Sequence, residues 1–100
     1  MTDTKLFCVS GFDKPGHLEA RLANREAHLA HWGALGDDLV FGGPYLDDDG
    51  NPNGSLIVIK AESLAAAEAL VSKDPYQTNG VFETVSVRRW VWFVKAPEGL

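Results

Sequence analysis

A single cysteine, Cys8, is all the sulfur chemistry this chain offers besides one methionine. An internal disulfide framework of the kind that staples small secreted domains is therefore excluded, and a reducing, cytoplasmic setting is expected. Basic clusters are also missing. Nine Lys and Arg stand against fourteen Asp and Glu, the net charge is −5, and no basic run exceeds Arg88-Arg89. Nucleic acid is excluded as a partner on that count, because phosphate binding draws on clustered cations. No apolar run approaches the ~20 residues of a membrane-crossing helix, so no membrane partner is expected. The opening Met1-Thr2-Asp3-Thr4-Lys5 lacks the basic-then-apolar order of a signal peptide.

What is present is enough apolar residue, 45% against 23% charged, to bury one core. One hundred residues predict a single domain over 1–100, with its core at about 5–94. The strongest periodic signal runs from His17 to Trp32, between a Gly/Pro loop (Gly11 to Gly16) and a stop at Gly33 to Gly36. Leu18, Leu22, Leu29 and Trp32 recur at helical spacing and predict one apolar stripe. At roughly 100° per residue, His28 falls at the edge of that stripe, beside Arg21, Arg25 and Trp32. A ring that titrates near neutral pH, at the border of core and solvent, is placed for proton chemistry. The local pattern fits a packed or surface histidine equally well.

The other elements follow in order. Lys5 to Ser10 reads as a first strand, and Asp37 to Leu46 as a second, broken at Gly42-Gly43-Pro44. Asp47 to Gly54 is turn sequence, Ser55 to Lys60 a third strand, and Ser63 caps a helix from Leu64 to about Ser72. Asp74 to Gly80 reads as a turn, Val81 to Val94 as a long last strand, and Ala96 to Leu100 as a frayed tail. Strand-helix-strand-strand-helix-strand is the order of the α+β, ferredoxin-like split β-α-β fold, a four-stranded antiparallel sheet with two helices on one face. The strands are apolar on both faces: Leu56 and Val58 against Ile57 and Ile59, and Val91 and Phe93 against Trp90 and Trp92. A homodimer, sheet face on sheet face, would bury the second side. Partial cover of Trp90 and Trp92 at an edge is the alternative.

Few motifs carry chemistry. His28-Leu29-Ala30-His31 has neither the i, i+4 spacing nor the glutamate of a zinc helix. In Asp47-Asp48-Asp49-Gly50, Pro52 stands where a calcium loop needs glycine, and no glutamate closes it. Cys8 has no Cys-x-x-Cys partner, and Ser10 and Ser55 lack a nucleophile elbow. No motif requires a metal or cofactor. Asp74 has two readings. Asp-Pro after a helix is ordinary turn chemistry. In a split β-α-β fold, however, the exit of the second helix can lie close to the first. A carboxylate there could fix the tautomer of His28 and raise its basicity.

Four stretches carry a resemblance that spans about residues 5 to 94: Arg25-Glu26-Ala27-His28-Leu29; Gly42-Gly43-Pro44; Gly54-Ser55-Leu56; and Asp74-Pro75-Tyr76 with Gly80-Val81-Phe82-Glu83 and Val85-Ser86-Val87. In these the chain resembles the YciI-like (YCII-related) proteins of the dimeric α+β barrel group. The resemblance implies a ferredoxin-like homodimer with an active site around a His–Asp pair, by position His28 and Asp74. It also implies a pocket that includes Arg25, Gly43, Pro44, Ser55, Pro75 and Tyr76. A few relatives act in the breakdown of aromatic or chlorinated rings, by proton abstraction with elimination or isomerisation. The expected function is thus a small-molecule enzyme, lyase- or isomerase-like and without cofactor. The competing expectation is a non-catalytic homodimer that binds a small ligand in the same cleft.

Overall fold

The computed structural model describes residues 5–98; the readings of Met1 to Thr4 and of Gly99-Leu100 lie outside them. The centre of the sheet is made by β1 (Lys5–Asp13) and β3 (Pro52–Ala61), antiparallel from Lys5 opposite Ala61 to Phe12 opposite Gly54. The period of two sends Phe7, Val9, Ile57 and Ile59 to one face. There they pack against Trp32 of α1 (Leu18–Gly33) and against Ala67 and Val71 of α2 (Leu64–Ser72). β2 (Leu39–Leu46) pairs with the outer edge of β3, and β4 (Phe82–Trp90) with the outer edge of β1. The order β2-β3-β1-β4 makes each helical crossover skip one strand, which is the split β-α-β topology. Ser63 caps α2 as the sequence predicts, its Oγ accepting the Ala66 N–H at 3.1 Å.

Two glycines let the layers close. A Cβ on Gly11 would lie 2.5 Å from the Phe82 ring, and one on Gly54 would lie 2.7 Å from the Gly11 carbonyl oxygen. Without side chains there, β3 and β1 stay close where Ser55 enters the sheet, and Phe82 crosses β1.

Three expectations change. The buried side chains of α1 are Arg21, His28 and Trp32, while Leu22 and Leu29 are 54% and 53% exposed. The leucine spacing marks a helix but not its sheet-facing side. The buried side is polar because each of its polar groups has a partner beneath it. Second, the segment Asp74 to Gly80 contains a short helix, α3 (Pro75–Thr78), capped by Asp74. Third, β4 stops at Trp90 rather than Val94. Trp90 pairs with Leu6 near the start of β1, and among the described residues no pairing continues beyond it. The chain turns instead, and Trp92 lies 5.0 Å from the Phe41 ring, with Trp90 at 5.7 Å from the same ring. Part of the open sheet face is thus covered by the chain's own aromatic residues. Smaller shifts extend β1 to Asp13, begin β3 at Pro52, and make Gly36–Asp38 a 3-10 turn.

Candidate functional site

The proline at 75 starts the local geometry. It disfavours a helical residue before it, so Asp74 is extended (φ −64°, ψ 128°) and its carboxylate turns inward between α2 and α3. Asp74 is 1% exposed. A buried carboxylate is tolerable only if donors meet it, and three do. His28 Nδ1 donates at 2.8 Å, Trp32 Nε1 at 2.9 Å and the Tyr76 backbone N–H at 3.0 Å. His28 and Trp32 are one turn apart on α1, so the helix delivers both to one acceptor. Burial pushes the Asp74 carboxyl up, but the bonds from His28, Trp32 and Tyr76 outweigh it and hold it below its ordinary value. An ionised Asp74 keeps the imidazole hydrogen on Nδ1 and leaves a lone pair on Nε2 of the neutral ring. The ring lies flat on Tyr76, centroids 3.8 Å apart at 13°.

Among the described residues Nε2 has no hydrogen-bond partner. Among the described residues no buried side-chain nitrogen or oxygen lacks a partner, so Nε2 borders accessible space. That space is a cavity of about 410 Å³ between α1, β2 and β3. Leu22, Leu29, Leu39 and Ile57 give it apolar walls, and His28, Arg21, Ser55 and Tyr76 a polar end. Leu22 and Leu29 are exposed because they face this cleft, not the sheet.

The polar end has a second buried pair. Arg21 Nε donates to Asp13 Oδ2 at 2.6 Å, and Nη2 to Ser55 Oγ at 2.7 Å. Its guanidinium carbon stands 4.4 Å from the centre of the Tyr76 ring. Burial raises the Tyr76 phenol, against the opposing pull of Arg21, so it stays protonated at neutral pH.

The structure brings His28, Asp74, Ser55 and Tyr76 together. Gly43 and Pro44 line the opposite wall, and Arg25 lies exposed at the rim. Pro75 does not line the cavity; it is the first residue of α3 and acts through the backbone of Asp74. Arg21, Asp13 and the indole N–H of Trp32 are the polar groups that sequence reasoning passes over. The available signal was phase: Arg21 precedes His28 by two helical turns on the same face. His31 is not paired with His28. Its Nε2 donates to the Leu70 carbonyl at 2.8 Å and ties α1 to α2.

A family model described as YCII-related domain matches residues 6–91. Protein YciI of Escherichia coli O6:H1 is 40% identical over 91 residues, covering 83% of this chain and 93% of that protein. Among solved structures, 5-chloro-2-hydroxyhydroquinone dehydrochlorinase (TftG) of Burkholderia phenoliruptrix AC1100, in complex with 2,5-dihydroxybenzoquinone, matches with a TM-score of 0.79. It is 35% identical, over 86% of this chain and 93% of that one. A NIPSNAP family protein of Agrobacterium tumefaciens matches at a TM-score of 0.58 and 14% identity, over 96% of this chain and 99% of that one, a similarity of fold alone.

Proposed function

The chain belongs to the YCII-related domain family, and from that premise we propose that its cavity is an active site in which His28 removes a proton from a small cyclic substrate. The observation that carries this reading is the free Nε2 of His28 at the cavity wall, on a ring whose other nitrogen is bound to buried Asp74. Nε2 takes a proton from a ring hydroxyl or ring carbon. The electron pair left behind moves into the ring system. Either a leaving group departs with its bonding pair from a neighbouring carbon, or the proton returns at another position. The first outcome is an elimination and the second an isomerisation, and neither needs an oxidant or a cofactor. Asp74 stabilises the imidazolium that forms. The apolar walls suit the faces of a flat ring. In this reading Arg25 at the rim, and Gly43 and Pro44 opposite α1, touch its outer edge; all three line the cavity. The similarity to a dehydrochlorinase of a hydroxylated ring supports elimination as the reaction class.

The test is turnover. Chloride release from 5-chloro-2-hydroxyhydroquinone, together with a panel of hydroxylated cyclic compounds, is compared between the wild type and His28→Gln. The expected result is wild-type turnover that falls by about a hundredfold or more in the variant with an unchanged melting curve. A variant at wild-type rate places the base elsewhere. Saturable ring binding without product in the wild type favours the non-catalytic binding module instead.

We also propose a homodimer through the open sheet face. Val91, Phe93 and Val94 beyond β4 are 68%, 90% and 73% exposed, beside the Phe41, Trp90 and Trp92 cluster. A second copy would bury this apolar surface.

A further inference from the structure

Arg21 is a buried charge that the proton transfer above does not use. It is 4% exposed, and its position is made tolerable by Asp13, which accepts from Nε at 2.6 Å and more weakly from Nη2 at 3.4 Å. The other Nη2 hydrogen goes to Ser55 Oγ at 2.7 Å. These bonds occupy Nε and Nη2 of a side chain with five N–H donors. Among the described residues no carboxylate or carbonyl accepts from Nη1, and the only group drawn toward the remaining N–H donors is the Tyr76 phenol. Because no buried side-chain nitrogen or oxygen among the described residues lacks a partner, Nη1 lies on the accessible side of Arg21, and Arg21 lines the cavity.

Ser55 has the same surplus. Its Oγ accepts from Arg21, and among the described residues its own hydrogen has no acceptor. Tyr76, with its ring between Arg21 and His28 in the chain of contacts, adds a third free O–H. A cation and two hydroxyls, all able to donate, therefore adjoin the ring nitrogen that accepts. That arrangement is complementary to a negatively charged oxygen beside an acidic hydrogen.

We propose that Arg21, steadied by Asp13, forms with Ser55 an oxyanion subsite of this cavity. It holds an ionised ring oxygen of a planar substrate (a phenolate or enolate) while His28 takes a proton from a neighbouring position. Binding there favours the charge that proton loss leaves in the ring, since the donors are fixed before the reaction begins. Arg25, exposed at the rim, is screened by solvent and contributes less to this recognition. The subsite rests on the proton-transfer reading for its place in the reaction, but not for binding the ring.

Calorimetric titration with 2,5-dihydroxybenzoquinone and with its dimethyl ether separates the two. The wild type binds the hydroxy ring at least about tenfold more tightly than the ether. Arg21→Lys and Ser55→Ala each lose about tenfold for the hydroxy ring and leave the ether unchanged. Arg21→Lys keeps a cation opposite Asp13; where it fails to melt cooperatively, Ser55→Ala decides alone. Ser55→Ala, and every folded Arg21 variant, within about twofold of wild type on both rings overturns the subsite. Loss of ring binding in these variants with His28→Gln at full turnover keeps the subsite and removes the proton-transfer reading. A dead His28→Gln with unchanged binding in Ser55→Ala and Arg21→Lys does the reverse.

Discussion

Three donors on one carboxylate define the chemistry at the scale of single residues. Asp74→Asn keeps the shape of the side chain but replaces an acceptor-only group with one that must also donate. The imidazole then loses its reason to keep hydrogen on Nδ1, and turnover is expected to fall by about a hundredfold or more. The same substitution has a pH signature. The folded chain holds Asp74 below its ordinary carboxyl value of about 3.9. Its ionised form therefore adds stability above that value, and this contribution is lost as pH falls through the lower, folded value. Melting curves of wild type and Asp74→Asn should lie far apart at neutral pH and converge in acid; a constant gap would show that Asp74 does not titrate with folding. The contact between His28 and Asp74 is legible in the sequence only through the split β-α-β order, which can bring the end of α2 near α1, together with the family resemblance. Arg21 is not, because its burial depends on Asp13, which the sequence assigns to a loop and the structure assigns to the end of β1.

At the scale of elements, α1 is unusual in presenting polar groups to the protein and leucines to a cleft. Leu22 and Leu29 read as a core stripe, because a cavity wall and a core face share one period. The α3 helix was unreadable for a different reason: four residues give too little periodicity, and only Asp74 as cap and Pro75 at the first position mark it. Beneath it Tyr76, Val81 and Phe82 form a small core of their own. Gly11→Ala drives a methyl into the Phe82 ring and should cost about 1–3 kcal/mol in urea unfolding, with weaker ring binding because Tyr76 stands on Phe82, 5.7 Å away. Equal unfolding midpoints would mean that Phe82 swings aside freely.

For the whole molecule, element order alone leads to the sheet order β2-β3-β1-β4, since few other topologies fit two helices between four apolar strands. The sequence extends β4 to Val94 because a run of Val, Trp and Phe has strand propensity whether or not it is paired. The proposed dimer is tested on those residues. The wild type should sediment as a dimer, and Val91→Asp/Phe93→Asp as a monomer with an unchanged circular dichroism spectrum. A monomeric wild type would leave the open face to the aromatic cluster alone.

The proposed function requires Asp74 to hold hydrogen on Nδ1 of His28, so that Nε2 meets the cavity's occupant as a base. Nitrogen-15 resonance of the His28 ring reads this directly, in alkaline buffer, with and without 2,5-dihydroxybenzoquinone. The expected result is a protonated Nδ1 and a bare Nε2 in the free protein, with Nε2 the nitrogen that shifts when the ring binds. Hydrogen on Nε2 in the free protein, or an Nε2 signal indifferent to a bound ring, would contradict it.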